Sequence, residues 1–339
     1  MSRVGVNPLK RDSDPLGWTP ASVTITTVTY IPSLENYWQY SLDVLKVFFD
    51  SLYANTPAPF NVMLFDNGSC AEVRDYLLDL QQAGKIQYLT FSEHNLRKLG
   101  ALAHLLSVAP GDYIAFADSD VYFLPGWLEQ SIGILQAFPE AGRVTALPIA
   151  AGDQRKRLDY PLMVQDPSIR IETGHLIPDE YIRAHHESLG RADTERQFPD
   201  RLDVRIARGQ TAAYLSGADF QFVITRQAVE KVLPLRLDEG VEVGGDTVYA
   251  PILEYKMKKE GLWRLSTVEY LVHHMGNRVP DFRAELGWVQ THRLDFTPTA
   301  DASSDAEKPT FLKRLARSSR VRSFLRKLYT WTYKLLFEQ

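Results

Sequence analysis

The sequence predicts an α/β fold in which a mostly parallel sheet is flanked by helices. Strand-like and helix-like segments alternate along the first third of the chain, and such alternation is typical of parallel sheets. The apolar run 113–117 (YIAFA) has the composition of a strand buried on both faces. Asp118 and Asp120 follow it directly, and ligands of open α/β sheets bind beyond the carboxyl ends of the strands. The sequence therefore predicts a ligand site where this strand ends.

Three units of a strand and a following helix precede this acidic pair. Their strand segments are short apolar runs, rich in β-branched residues in the first, and their helical segments repeat apolar residues every three or four positions. The predicted units cover residues 22–30 and 37–53, 61–65 and 73–80, and 86–91 and 97–108. Asp66 thus follows the second strand, as Asp118 follows the fourth.

The segment Asp118-Ser119-Asp120 has the character of a metal site. Residues two apart project to the same side of an extended segment, so both carboxylates can face one ligand. Crowded carboxylates attract a hard divalent cation, and Mg²⁺ is typically held by one or two carboxylates together with substrate phosphates. Mn²⁺ accepts the same oxygen ligands. The alternative is a solvated turn that closes the strand.

Seven segments between Ser22 and Asn277 carry the motifs of a known family. They are TYIPSLENYWQYSLDVL, LFDNGS, RKLGALAHLL, YIAFADSDVYFLPGWLE, SGADFQFVITRQAVEKV, GGDTVYAPILEYKMKKEGLWRL and VHHMGN. In this order the set resembles the inverting glycosyltransferases of family 2, which have the GT-A fold. The resemblance implies an enzyme that moves a sugar from a UDP- or GDP-sugar to a hydroxyl of a glycan or lipid-linked acceptor, in surface polysaccharide assembly.

The resemblance also implies which residues bind the donor nucleotide. Asp66 matches the acid that accepts hydrogen bonds from the base, although DNGS is equally good turn chemistry. Arg97 and Lys98 match the segment near ribose and phosphate, or else begin a solvated helix. Asp118 and Asp120 match the motif that binds Mg²⁺ or Mn²⁺. The residues expected at the donor nucleotide are Tyr30, Ser33, Asp66, Arg97, Lys98, Asp118 and Ser119.

The catalytic base is expected near residue 246. In GVEVGGDTVYAPILEY, Asp246 aligns with the family's base, which takes the proton of the acceptor hydroxyl. Gly245 stands where the family often has Glu, so the match is incomplete. Asp246 also precedes a predicted helix, for which it would be an ordinary cap. Glu242 is the reserve candidate for the base.

A histidine pair, His273-His274, follows a strand predicted over 268–272. In many relatives a histidine in this region completes the metal site. Neighbouring residues point to opposite faces of an extended segment, so only one of the two can bind the ion. We expect His274, with His273 in reserve. The alternative is a packed or surface histidine pair.

The acceptor side is expected in and beside an insertion over 147–215, which is long, polar and rich in arginine. Long insertions beside active sites often act as lids or binding loops. Its His185-His186 pair is either a second metal site or, more simply, part of a solvated helix face. Beyond it, Asp219 in SGAD resembles a contact to the acceptor sugar, with a turn residue as the alternative.

The charge of the chain is concentrated at its C-terminal end. The whole chain carries 38 basic and 42 acidic residues, whereas residues 308–339 contain nine basic residues and a single acid. Apolar residues recur there at near-helical spacing, which predicts a basic amphipathic helix over 310–339 lying on an anionic membrane surface. The alternative is packing on the catalytic domain or a partner subunit. Nucleic acid is a weaker option, since the net acidic remainder of the chain would be repelled, so we expect no nucleic-acid partner.

The resulting organisation has four parts. An N-terminal extension covers residues 1–21, the glycosyltransferase domain 22–296, a small-residue linker 297–309 and the basic helix 310–339. The first twenty residues lack a secretory apolar run, and no run is long enough to span a membrane. The single cysteine, Cys70, excludes an internal disulfide framework. We therefore expect a cytoplasmic protein, peripheral on the inner face of the cell membrane.

Two other classes of function compete with sugar transfer. A sugar nucleotidyltransferase would require a glycine-rich phosphate loop after the first strand, and TYIPSLENYW contains no glycine. A degenerate, non-catalytic transferase could serve as a membrane-bound binding subunit, and Gly245 is the best argument for it. The retained Asp118, Asp120, Asp246 and His274 argue against that class.

Overall fold

The computed structural model describes residues 21–149, 152–190, 200–236, 241–243, 246–248, 252–282 and 286–287, without the side chains of 241–248. The predicted N-terminal extension, except residue 21, lies outside these ranges, as do the linker and the basic helix. Within them, no helix is long and apolar enough to cross a membrane.

The first four strands are parallel and are separated by helices, as predicted. The strands are β1 (Val23–Thr29), β2 (Asn61–Asp66), β3 (Tyr88–Phe91) and β4 (Tyr113–Asp118). The helices are α1 (Ser41–Asn55), α2 (Ala71–Gln82) and α3 (Arg97–Val108). The sheet order is β3-β2-β1-β4, and all three pairings are parallel. Residues 114–117 of β4 are fully buried, which confirms the reading of YIAFA as a two-face-buried strand.

Beyond β4 the sheet becomes mixed. The next elements are β5 (Val121–Phe123), α4 (Trp127–Ala137) and β6 (Ala141–Thr145), and later β10 (Gln221–Thr225), α7 (Arg226–Val232), α8 (Ile252–Lys259) and β13 (Trp263–Ser266). Strand β10 lies antiparallel between β4 and β6, and β13 is parallel to β6. The α/β class is confirmed, but the sheet is mixed where a mostly parallel one was predicted: only β1 to β4 and the β6–β13 pair are parallel.

The insertion is part of the sheet in its described portion. It forms α5 (Tyr160–Gln165), β7 (Arg170–Gly174), α6 (Asp179–Ser188), β8 (Asp203–Arg208) and β9 (Thr211–Tyr214). Its strands are antiparallel and extend the sheet to ten strands, in the order β3-β2-β1-β4-β10-β6-β13-β9-β8-β7. Val204 and Ile206 are buried at alternate positions of β8, which fixes these strands to the core. The described portion of the insertion therefore extends the sheet, and its role on the acceptor side stays a prediction.

One apolar core cluster holds α3, α7 and α8 against the centre of the sheet. Leu105, Phe116, Phe222, Val229 and Met257 belong to it, and none is more than 2% exposed. Burying a large apolar side chain contributes about 1.5–3 kcal/mol, so such a cluster fixes the positions of the strand ends. Two small antiparallel two-stranded sheets complete the described fold, β11 (Val241–Val243) with β12 (Asp246–Val248) and β14 (Val272–His274) with β5.

Candidate active site

The carboxyl ends of β1, β2 and β4 open on a cavity of about 410 Å³. The three strands end at the same height in the sheet, because Val28 pairs with Asp118 and Thr29 pairs with Asp66. The cavity is lined by residues that the sequence assigned to the nucleotide or the metal, namely Tyr30, Arg97, Lys98, Asp118, Ser119 and Asp120. The structure therefore brings these six residues together.

Asp120 meets His274 at the edge of the cavity. Strand β14 is antiparallel to β5, and its pairing places His274 opposite Val121, the residue after Asp120. His274 Nε2 lies 3.2 Å from Asp120 Oδ2, and the Asp120 carbonyl accepts a hydrogen bond from the Met275 amide at 2.8 Å. Burial lowers the pKa of His274, but the hydrogen bond and charge of Asp120 and the charge of Asp118 outweigh it, so the net pKa shift is upward.

Asp118 is paired with a lysine. Lys98 Nζ lies 2.5 Å from Asp118 Oδ2 and 3.4 Å from the carbonyl oxygen of Asp219. Burial raises the pKa of the Asp118 carboxyl to about 6; the Lys98 ammonium opposes this rise and the Asp120 carboxylate adds to it. The two carboxylates therefore interact unfavourably, and positive charge relieves that interaction.

The residues at this point fit a divalent cation, although the described residues contain no ready-made group of three or more metal-binding side chains. Asp120 Oδ1 is buried and lacks a hydrogen-bond partner among the described residues. Two carboxylates and an imidazole are a donor set that Mn²⁺ accepts, and carboxylates alone suit Mg²⁺. The residues that would hold the ion are Asp118, Asp120 and His274.

The strand that contains His273 and His274 determines which of the two imidazoles can reach Asp120. The strand is Val272–His274, not 268–272 as predicted, because pairing with β5 begins only at Val272. Within it the two imidazoles point apart. His273 is 1% exposed and its Nδ1 lies 2.6 Å from Tyr270 Oη, while burial lowers its pKa to about 4. His274 alone reaches Asp120.

Asp66 and Ser33 do not line the cavity. The Asp66 carboxylate is fully buried and accepts hydrogen bonds from the Ser69 amide at 3.2 Å and from Arg74 Nε at 3.1 Å. These contacts match the alternative interpretation of DNGS, in which Asp66 forms a turn rather than binding the nucleotide base. The structure thus gives Asp66 a structural partner where the resemblance implied a contact to the base, and the next residue, Asn67, lines the cavity.

Asn67 is a site residue that the sequence reading missed. Its Oδ1 accepts a hydrogen bond from the Leu96 amide at 2.7 Å, and its Nδ2 donates one to Asn95 Oδ1 at 2.9 Å. These bonds hold the loop that leads into Arg97, whose φ of 60° is unusual for a residue other than glycine. Asn67 therefore positions Arg97 and Lys98. The sequence signal for it is the DNGS motif, in which Asn67 is a second polar side chain beside Asp66.

We expect Asn67→Ala to weaken nucleotide binding more than it weakens the fold. The change removes the hydrogen bonds from Asn67 to Asn95 and Leu96 of the exposed loop, each of which contributes about 0.5–1.5 kcal/mol. Without the bonds to Asn67, the strained backbone of Arg97 can relax, and the side chains of Arg97 and Lys98 lose their positions. Calorimetry with UDP and GDP should show a loss of about tenfold or more in affinity. Asn55→Ala, which removes a hydrogen bond outside the cavity, should leave that affinity unchanged.

Aromatic side chains form one wall of the cavity; Tyr30 was predicted there, whereas Tyr37 and Trp38 were missed. Trp38 makes edge contacts with Tyr30 and Tyr37, with ring centroids 5.7 and 4.9 Å apart. Asn277 Nδ2 donates a hydrogen bond to the Tyr37 carbonyl at 3.2 Å, which connects this wall to the segment after β14. Flat aromatic side chains in such a position suit the planar ring of a nucleotide base.

The structure places both candidates for the catalytic base on a hairpin. Asp246 begins β12 and Glu242 lies in β11, where it pairs with Thr247. Helix α8 begins only at Ile252, so Asp246 is not its cap. The side chains of both acids lie outside the description.

Asp219 stands between the cavity and a second group of charges. Its exposed carboxylate pairs with the buried guanidinium of Arg143, and its carbonyl oxygen accepts from Lys98. A contact from Asp219 to an acceptor sugar stays a prediction.

An acidic pair and two cationic side chains line this strand-end cavity, and a histidine contacts the second acid of the pair. Residues 35–188 match the family model described as glycosyl transferase family 2. Residues 35–188 of the chain are therefore similar to glycosyl transferase family 2. This match confirms the family resemblance that the sequence motifs carried. Asp219, Asp246 and His274 lie beyond the matched segment.

The chain also resembles individual glycosyltransferases. It is 25% identical over 154 residues to an uncharacterized glycosyltransferase of Nostoc sp. (strain PCC 7120), a match that covers 44% of this chain and 46% of the relative. The chain thus spans about half the length of that relative.

Two solved structures are weakly similar. A crystal structure of GalNAc-T7 with UDP, GalNAc and Mn²⁺ has 14% identity and a TM-score of 0.44, over 75% of this chain and 43% of that one. The mannosyltransferase PcManGT of Pyrobaculum calidifontis with GDP-Man and Mn²⁺ has 16% identity and a TM-score of 0.43, over 80% and 60% of the respective chains. At these TM-scores neither structure adds to the assignment.

Proposed function

We propose that the protein is a metal-dependent inverting glycosyltransferase, which moves a sugar from a nucleotide-diphospho-sugar to a hydroxyl of a glycan or lipid-linked acceptor. The observation that supports this most is that Asp118 and Asp120 line one cavity and that His274 lies 3.2 Å from Asp120. Surface polysaccharide assembly is the pathway we propose for it.

Each group of cavity residues has a task in this reaction. Tyr30 and Trp38 provide an aromatic surface for the base of the nucleotide. Arg97 and Lys98 supply positive charge beside the diphosphate. A Mg²⁺ or Mn²⁺ ion held by Asp118, Asp120 and His274 would neutralise charge on the leaving diphosphate.

Asp246 is the proposed base. Inversion requires one displacement at the anomeric carbon, so a carboxylate must take the proton of the attacking hydroxyl as the sugar–phosphate bond breaks. The hydroxyl oxygen forms the new bond, and the nucleoside diphosphate leaves with the electron pair. Asp246 in the β11–β12 hairpin is the proposed acceptor of that proton, and Glu242 on the paired strand is the reserve.

A panel of nucleotide-sugars tests the proposal. The full-length protein should release UDP or GDP from one donor class, slowly onto water and faster with a suitable acceptor, and Mn²⁺ or Mg²⁺ should stimulate the release. Pyrophosphate release from a nucleoside triphosphate and a sugar phosphate, without release of a nucleoside diphosphate, would instead identify a sugar nucleotidyltransferase.

We also propose that residues 308–339 hold the enzyme on the cytoplasmic face of the cell membrane. The support is their nine basic residues and their near-helical apolar repeat. Full-length protein should float with anionic vesicles, and less so in high salt, because each basic residue near such a surface contributes about 1 kcal/mol. A truncated protein ending at Ser304 should stay in the soluble fraction. Equal flotation of the two proteins would remove the membrane role.

A further inference from the structure

A second cavity, of about 320 Å³, lies beside the sheet where the insertion meets α8 and β13. We call it the basic pocket. Its charged lining residues are Arg143, Lys156, Arg157, Lys258 and Arg264, with Asp159 and Glu254. Five basic and two acidic side chains give the lining a net charge of 5 − 2 = +3.

The arginines of the basic pocket have unused hydrogen-bond donors. Arg143 Nε, Arg157 Nη1 and Arg264 Nε are buried and lack a partner among the described residues. Arg143, on β6, is only 2% exposed. A buried donor without an acceptor destabilises the fold, so three of them on arginines that line one cavity favour a ligand that supplies acceptors. Guanidinium groups suit phosphate oxygens in particular.

The carboxylates nearby do not satisfy these donors. Arg143 pairs with Asp219, Arg157 with Asp159 at 2.5 Å, and Arg264 with Glu254 at 2.8 Å. Each pair leaves the donors named above unpaired. Burial lowers the pKa of the Arg264 guanidinium; Glu254 opposes this, and the positive charges of Arg143 and Arg157 reinforce it. An anion among the three guanidinium groups would relieve this crowding.

The basic pocket also has an apolar side. Leu158 and Leu162 line it and are 70% and 52% exposed, and Met257 and Leu262 lie deeper. Exposed leucines beside a cationic cavity suit a ligand that carries both an anionic group and an alkyl chain. Inorganic phosphate would leave these leucines uncovered.

The basic pocket is connected to the donor cavity through one residue. Asp219 pairs with Arg143 on the side of the pocket, and its carbonyl oxygen accepts from Lys98, which lines the donor cavity. A ligand in the basic pocket would therefore be linked to the donor cavity through the contacts of Asp219.

We propose that the basic pocket binds the phosphate that joins a glycan acceptor to its lipid chain. The phosphate does not react; it holds the acceptor while a sugar hydroxyl enters the donor cavity. This inference rests on the proposed function and names its acceptor class, an anionic alkyl phosphate.

Calorimetry with octyl phosphate, below its micelle concentration, tests the proposal on the full-length protein. The wild type should bind it, and Arg157→Gln should weaken binding by about tenfold or more, because a charged hydrogen bond is lost. Lys258→Gln, an exposed lining residue, should weaken it less. Arg155→Gln is the matched control, since Arg155 is an exposed arginine close in sequence that does not line the pocket. Thermal unfolding without ligand verifies that each variant is folded.

Further ligands identify the source of the phosphate. Inorganic phosphate should bind more weakly than octyl phosphate, and Leu162→Ser should weaken only the alkyl ligand. Equal affinity for inorganic phosphate would overturn the lipid assignment. Binding of neutral octyl glucoside as tightly as octyl phosphate, or unchanged binding in both Arg157→Gln and Lys258→Gln, would overturn the basic pocket as an anion site.

Nucleotide binding in the same samples separates this inference from the proposed function. Arg157→Gln should retain wild-type affinity for UDP and GDP in Mn²⁺. Loss of octyl phosphate binding with normal nucleotide binding supports the pocket, even if no sugar donor is consumed.

Discussion

Asp120→Asn should abolish sugar transfer while the fold persists. The substitution removes one charge from the crowded Asp118–Asp120 pair and weakens the contact with His274, which lies 3.2 Å away. Charge stabilisation by a bound metal contributes several kcal/mol, so we expect a fall of at least about 10²-fold in transfer rate. Stability should be little changed, because the Asp120 carbonyl keeps its hydrogen bond with Met275. Initial rates and thermal unfolding measure the two effects.

Asp75→Asn is the matched control for this prediction. Asp75 is an exposed carboxylate on α2, outside the cavity lining, and its removal changes the net charge by the same amount. The control should transfer sugar at the wild-type rate. An Asp120→Asn enzyme with wild-type activity would show that the acidic pair is only a turn at the end of β4.

Asp246→Asn should lower kcat by about 10²–10⁴-fold, the range expected for loss of a general base. Donor affinity should change little, because the base acts on the acceptor hydroxyl in the transition state. Steady-state kinetics and nucleotide calorimetry separate these two quantities. Glu242→Gln, the reserve on the paired strand, should remain active. If Glu242→Gln is inactive and Asp246→Asn is not, Glu242 is the base.

The parts of the fold that were predictable from sequence are those fixed by local pattern. The alternation of strands and helices up to Asp118 gave the parallel half of the sheet, because buried strands and amphipathic helices differ in period. It also placed the cavity, since parallel strand ends meet at one edge. Helix α3 was predicted with the bounds observed, Arg97–Val108.

The parts that were not predictable depend on pairing between distant segments. Strand β10 enters the sheet antiparallel, and β14 pairs with β5, so neither follows from alternation. Asp66 was assigned to the ligand because local sequence does not show that Arg74 would neutralise it. The basic pocket was invisible for the same reason, since Arg143, Arg157 and Arg264 converge only when β6, the insertion and β13 are assembled.

Calorimetry of UDP and GDP binding, with Mn²⁺ and with excess chelator, tests the central claim most directly. The claim is that Asp118, Asp120 and His274 form a metal-dependent nucleotide site. In Mn²⁺ the wild type should bind one of the two nucleotides, and chelator or Asp120→Asn should weaken that binding at least about tenfold, since metal and phosphates share the site. Equal affinity with and without metal, in both wild type and Asp120→Asn, would contradict the account.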